Sequence, residues 1–511
     1  MGDRNSACQD FFCHGLLGVC CLVVDAVDPR GYWLTRLLLE RSIGVICLIA
    51  FLVALNQFKP LLGERGLLPV PIFVKEVPFR ASPSLFYLFP SDVAFTTASW
   101  IGIVLSCLVI TGVATRYTWL SICVWVAIYL IYLSFVNVGQ TFYGFGWESI
   151  LLEACFFAIF LGGSRLLPQA VPIWLFRWLL FRIMFGAGLI KIRGDPCWRD
   201  LTCLNYYYET QPMPNPLSWY FHWAPHWVNM GGVLFNHFAE LIVPFFFFLP
   251  QPVAGIAGLI TIVFQLTIIV SGNLSWLNWL TLFLAFSTLD AKFFSGVITL
   301  RAPAMHAALP VFTFVNYSLA VLVALMSIPV VINMLSARQI MNTSFNSFHL
   351  VGTYGAFGSI TRPRYEVIVE GTEDAVITSA TRWREYQFKG KPGEVDYRPP
   401  QIAPYHLRLD WLMWFAAMSS YQNYPWFVNF VAKLLEGDQD VLSLLRVNPF
   451  PQKPPHYVRA QLYEYHFTTP LERKQTRAWW TRTFTAPYFP AVSLDNPGFR
   501  QILRNQGWLT E

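Results

Sequence analysis

Nine times between residues 40 and 335 the chain runs for most of a helix-length stretch with mainly apolar side chains. A helix that crosses the hydrocarbon core of a bilayer needs about 20 such residues. Only helices and closed barrels satisfy every backbone group there, and runs this long and continuous are helical rather than alternating. The runs lie at 40–58, 96–114, 118–137, 148–164, 172–191, 231–250, 253–271, 276–291 and 313–335. The first, third, seventh and ninth are long and nearly uncharged. The fourth is short and carries Glu148 and Glu153; the fifth carries Arg177, Arg182 and Lys191; the eighth is short enough to be re-entrant. A conservative count is therefore five spans. Composition agrees with a polytopic α-helical membrane protein: 55% of the 511 residues are hydrophobic and 13% charged, against about 25% charged in a soluble domain. A net charge of +6 from scattered Lys and Arg offers no basic face for nucleic acid.

Lys and Arg near span ends set orientation. Arg36 and Arg41, Arg116, Arg165, and Lys292 with Arg301 all fall on one side of a nine-span chain. That places residues 1–35 in the cytosol, residues 36–335 in the membrane with luminal loops near 59–95 and 192–230, and residues 336–511 in the lumen. The loop 59–95 runs against this pattern with Lys59, Arg65, Lys75 and Arg80, partly offset by acids. The apolar run Gly15–Val24 is too short to span and lacks a signal-peptide cleavage pattern. Met1–Ser6 matches the myristoylation pattern, but Asp3 disfavours it and an integral protein needs no such anchor.

Composition changes after Leu335: residues 336–511 contain no long apolar run and no cysteine. Tyr365–Val369, Trp383–Phe388 and Tyr457–Phe467 alternate polar with apolar or aromatic residues, which predicts strands. Leu407–Met418, Trp426–Leu435, Asp438–Leu445 and Asn496–Gln506 read as helices. Together they predict one α+β or β-sandwich-like domain of ordinary size.

Cys47, Cys107, Cys123 and Cys155 lie in spans, where they serve as small core residues. Cys8, Cys13, Cys20 and Cys21 fall in the cytosolic segment. Cys197 and Cys203 share the luminal loop, where an oxidising compartment allows a local disulfide as the alternative to two free thiols. No set of side chains has metal-ligand spacing, and no cofactor is called for. Among three N-x-[ST] sequons, Asn342 lies just past the ninth span and is the candidate for glycosylation; Asn273, between spans, and Asn316, within one, are expected to be unmodified.

Charged groups inside spans cost at least about 2.5 kcal/mol each at the helix centre, so they should be paired or used. The available pairs set Glu148 and Glu153 against Arg177 and Arg182 on consecutive spans, while His237 and Glu240 share one helical face. The structural reading is mutual bonding that fixes helix packing; the functional one is a polar cavity. Eight tryptophans in luminal segments, Trp219, Trp223, Trp227, Trp411, Trp414, Trp426, Trp479 and Trp480, are either domain core or aromatic contacts for a partner. The chain has no Walker loop, Rossmann glycine pattern, H-E-x-x-H or G-x-S-x-G.

Specific strings carry more. Trp147-Glu148-Ser149 with Leu152-Glu153, the stretch Phe176–Tyr220, NHFAELIVPFFFF (236–248), SGNLSWLNWLT (271–281), GTYGAFGSIT (352–361) and PYHLRLDWLMWFAA (404–417) resemble the lipase maturation factor family, from about Tyr32 to the end. The resemblance implies an endoplasmic-reticulum membrane protein, N-terminus cytosolic and C-terminal region luminal, without enzyme activity. It would assist folding and homodimer assembly of secreted lipases (lipoprotein, hepatic and endothelial lipase), alongside other folding factors of that compartment, and so affect triglyceride metabolism. The family is described with five spans, which keeps both termini on the same sides as nine. A second, shorter resemblance gives the alternative. Phe185–Lys191, followed by Asp195 and Trp198, is similar to the segment of the vitamin K-dependent gamma-carboxylase that carries its base lysine, with Lys191 at the matching position. Pro196-Cys197 are inserted here. The plain reading of Lys191 is a snorkelling lysine at a helix end.

Overall fold

The computed structural model describes residues 29–294 and 302–508. The expectations for the N-terminal cysteines, Gly15–Val24 and Arg301 fall outside them. Among the described residues nine helices form the bundle: α1 (Trp33–Leu62), α2 (Asp92–Thr111), α3 (Thr118–Val138), α4 (Gly146–Ala158), α5 (Ala170–Arg193), α6 (His226–His237), α7 (Val253–Ser271), α8 (Leu277–Leu284) and α9 (Pro310–Leu335). Beyond His237, α6 widens into a π turn (Phe238–Ile242) and then tightens to a 3-10 turn through Phe248.

Seven of these are long and apolar enough to cross a bilayer, α6 with its extension included. The two remaining runs are shorter than 148–164 and 276–291 suggested: α4 has 13 residues, and the eighth covers Leu277–Thr288 with its 3-10 turn. Both still carry the chain from one end of the bundle to the other. At the first end, Ser164 N–H donates to Thr115 O and Leu167 N–H to His306 O, and Arg36 donates to Ser164 O and Leu166 O. At the second end, Asn342 abuts Gly146, Arg193 donates to Met334 O and Asn273 donates to Pro400 O. So α3 and α5 run the same way, and α4 returns the chain between them. Glu148 and Glu153 are tolerated in α4 because the helix is interior; only Phe156 among its thirteen residues is not fully buried.

Small residues let the helices close up, as packing in lipid requires. A Cβ on Gly102 of α2 would lie 2.4 Å from the Phe51 ring of α1. Arg36, placed by sequence among the orienting charges, is buried in α1, capping carbonyls after α4. The outward face of α7 (Ile256, Leu259, Val263, Leu266, Val270) and that of α9 are exposed, a stripe suited to lipid chains.

The C-terminal part contains β1 (Arg364–Thr372), β2 (Arg384–Glu385), β3 (Tyr457–Phe467) and β4 (Trp480–Val492), an antiparallel sheet in the order β2-β1-β3-β4. Helices α10 (Arg408–Ala417), α11 (Pro425–Glu436) and α12 (Pro497–Asn505) accompany it. The α+β form is the one realised, with a single sheet among the described residues. Sequence reading missed β4, whose Pro487 and Pro490 argue against a strand; proline is tolerated on an edge strand, and β4 is one.

Bundle and sheet share a core. Gln57 of α1 donates to His406 O (2.6 Å) and accepts from Arg408 N–H (2.9 Å). His406 lies among Phe145, Trp147, Trp276 and Trp411. Asn429 of α11 donates to Gly66 O and Leu67 O beyond α1.

Candidate functional site

A cavity of about 850 Å³ opens where α5, α6, α7 and α8 meet α10 and the segment 354–359. Its walls are mostly apolar, among them Ile183, Ala187, Phe264, Leu274 and Trp414, and Lys191 and Glu240 are the charged residues on them. Lys191 Nζ donates to Glu240 Oε1 and Oε2 (2.7 and 2.9 Å) and to Asn236 Oδ1 (2.7 Å), and lies 5.0 Å from the Trp198 ring.

Local sequence explains this meeting. A Cβ on Gly188 would stand 2.7 Å from Leu241 and 3.0 Å from Glu240, and one on Gly186 would reach 2.3 Å from Tyr354 O. The Gly186-Ala187-Gly188 run thus lets α6 and the 354 segment sit directly on α5. The π turn at Phe238–Ile242, a feature common at functional sites, holds Glu240 beside Lys191. His237 and Glu240, read as partners on one face, bond α5 and the turn after it instead: His237 Nε2–H donates to Trp198 O at 2.9 Å.

The expected acid–base pairs are half realised. Arg182 of α5 binds Glu153 of α4, both fully buried, and Glu153 also accepts from Tyr354 O–H at 2.7 Å. Glu148 takes a different arginine, Arg408 of α10, at 2.8 Å, with Tyr132 O–H as second donor. Arg408 lies 3.4 Å over the Tyr143 ring; burial opposes its charge, but Glu148 and the tyrosines raise its pKa above the ordinary arginine value. Arg177 pairs with no carboxylate among the described residues. It donates to Ser287 O, Phe247 O and Tyr32 Oη, two of them backbone carbonyls in the 3-10 turns that end their helical runs, where intrahelical partners run out.

The loop after α5 is pinned to the sheet. Cys197 and Cys203 are joined as a disulfide. Asp195 binds Arg362 at 2.9 and 3.1 Å; Arg362 foremost, against some burial, and the N–H groups of Cys197 and Ile360 lower its pKa to about 2. Buried Arg364 donates to the carbonyls of Glu209, Gln211 and Pro212 and pairs with Glu366, which also holds Lys391. Trp219 and Trp223 donate to Thr468 O. Of the eight tryptophans singled out, Trp219, Trp411, Trp426, Trp479 and Trp480 are buried, Trp414 lines the cavity, Trp223 is 40% exposed and Trp227 71%. Asn342 is exposed at the cavity rim, where its Oδ1 accepts from Gly355 N–H. Asn273 is fully buried, bonding Pro214, Pro400, Ile402 and Ala403, and Asn316 is buried in α9. The sequence offered a polar cavity as one reading of the intramembrane charges, but the place and apolar walls of this cavity, the Arg408 pair and the Arg364 clasp were not read from it; a visible signal was Arg408 and Asp410 inside the apolar string 404–417.

A polytopic helical membrane protein whose bundle is completed at one end by an α+β region is the class these features define. Two family models match the chain: the lipase maturation factor transmembrane domain over residues 34–296 and the lipase maturation factor C-terminal domain over 350–490. The chain is 44% identical to human lipase maturation factor 1, across 93% of this chain and 90% of that one. The mouse protein of that name is 43% identical with the same coverage, and human lipase maturation factor 2 is 27% identical across 93% and 85%. No solved structure matches. This chain belongs to the lipase maturation factor family.

Proposed function

We propose that the protein is a lipase maturation factor of the endoplasmic-reticulum membrane that assists folding and homodimer assembly of secreted lipases, lipoprotein, hepatic and endothelial lipase among them. The observation that carries this reading is the match of both family models together with 42–44% identity over 90% or more of the chain to lipase maturation factor 1 of three mammals. The N-terminus is cytosolic, and the bundle end bearing the sheet faces the lumen. The disulfide Cys197–Cys203 and the exposed sequon Asn342 lie at that end, and both support a luminal placement. Residues 336–511 form the luminal part, and Asn342 carries a glycan there; a mobility shift on endoglycosidase treatment, lost in Asn342→Gln, checks it.

Exposed Trp223 and Trp227 supply aromatic surface for a half-assembled client. The test is lipase activity per unit of lipase protein in cells lacking this protein and again after restoring it. Specific activity should fall and recover, with lipase protein present throughout; indifference to the protein would overturn the reading. The carboxylase alternative gains no support from the family matches. A general base must offer a lone pair to the proton it takes, whereas the Lys191 amine directs its N–H groups to Asn236 and Glu240.

A further inference from the structure

The cavity beside Lys191 is built like a ligand site. Small-molecule sites are about 300–1,000 Å³, mostly apolar, with a few placed polar groups, and this one measures about 850 Å³. Among the polar groups on its walls, two clusters bear on what it could hold. At the first, Lys191 and Glu240 neutralise one another and the ammonium is already bonded to three acceptor oxygens. At the second, Asn278 Nδ2 donates to Gln265 Oε1 (2.7 Å), while the Gln265 amide N–H reaches only the thioether sulfur of Met184, at 3.3 Å, among the described residues. Thioether sulfur is a weak acceptor, so a buried amide donor stands open to a better one.

Position adds a source for the occupant. Thr267 of α7 and Val228 of α6, both on the cavity rim, are exposed. Thr267 adjoins the outward apolar stripe of α7 at Leu266 and Val270. The mouth therefore borders the face suited to lipid. Among the described residues the walls offer no cation free of an acid partner, so a carboxylate or phosphate head would enter without a counter-charge, at the cost of burying a lone charge or breaking the Lys191–Glu240 pair. An uncharged head meets no such penalty.

We propose that this cavity binds one uncharged single-chain lipid drawn from the bilayer. Its chain lies against Ile183, Ala187 and Phe264, and its hydroxyl or carbonyl oxygen accepts the open N–H of Gln265. The inference stands independently of lipase maturation.

The experiment uses the full chain in phosphatidylcholine nanodiscs and a monoacylglycerol bearing a diazirine on its acyl chain. Photolabel should fall on residues 183–190, 264–268 and 411–415, and unlabelled 1-monooleoylglycerol should compete. Oleate and lysophosphatidylcholine should compete at least tenfold less well. Ala187→Phe, which fills the chain space, should abolish the cavity label. Ile268→Trp at the half-buried rim should do the same with less burden on the core, and a thermal unfolding profile like that of the wild type shows that either variant is folded. Gln265→Leu should raise the half-competing concentration about fivefold, the worth of one hydrogen bond. Label confined to the outward faces of α7 and α9, or cavity label that persists in both filling variants, overturns the site. Competition by oleate equal to that by monooleoylglycerol overturns the uncharged head.

Discussion

Two buried carboxylates one helical turn and a half apart meet opposite fates. Glu153 and Glu148 both lie in α4, and each holds one arginine and one tyrosine. The arginine of Glu153 comes from the next helix, 29 residues away; that of Glu148 comes from α10, 260 residues away. The first pair closes the bundle on itself, and the second closes it against the C-terminal region. The bundle is thus electrostatically incomplete without residues 336–511, and a buried charge stripped of its partner costs about 3–5 kcal/mol.

The largest expected effect is therefore at the junction. Arg408→Met should destabilise by about 3–5 kcal/mol, because Glu148 then keeps only the Tyr132 O–H, although the Gln57 bonds to the main chain of His406 and Arg408 remain. Arg182→Met should cost less, at the lower end of that range, about 3 kcal/mol, since Glu153 retains Tyr354 O–H and the more distant Gly352 N–H, 3.4 Å away. Thermal unfolding of the two variants in one detergent gives the order; equal losses would break the comparison. Glu148→Met added to Arg408→Met should recover part of the loss, because an apolar replacement of the whole pair leaves no charge behind.

A middle-sized effect belongs to pH. Burial depresses His349, which bonds Ser149 and Asn137, to about 4. A histidine held neutral in the fold contributes stability above its unfolded pKa near 6.5, lost as pH falls towards 4. Asp195 behaves alike at lower pH: its stabilisation is complete above about 4 and disappears as pH falls towards 2. Local opening of residues 343–353, read as hydrogen exchange corrected for the intrinsic pH dependence of the amide rate, should rise between pH 7 and 5 in the wild type and change little in His349→Gln. The smallest effect on stability is at the exposed face. Trp223→Ala with Trp227→Ala should shift unfolding by about 1 kcal/mol or less, while lowering lipase specific activity if this face meets the client. Unchanged specific activity moves the contact elsewhere.

The same contrast explains what could be read from sequence. Apolar runs located the long helices to within five residues at each end, because lipid imposes one length and one chemistry, except that α1 begins seven residues before the run at 40–58, where buried Arg36 hid its first turns. Period-two alternation marked β1 and β3, which are covered on both sides by neighbours. The Arg182–Glu153 pair was within reach because consecutive helices pack together. The bonds of Arg408 to Glu148, of Arg364 to the Glu209 carbonyl and of Asn273 to the Pro400 carbonyl were not, since each spans more than 100 residues and nothing local distinguishes a clasp from a surface polar group. Arg177 misled because a guanidinium is satisfied as well by helix-end carbonyls as by an acid.

The decisive measurement is lipoprotein lipase activity per unit of lipase protein in null cells expressing nothing, the wild-type chain, or Arg408→Met, the last two compared at equal amounts of this protein. The wild-type chain should restore specific activity, and Arg408→Met should leave it near the null value. Specific activity that is the same in all three cells would contradict both the maturation role and the dependence of that role on the junction.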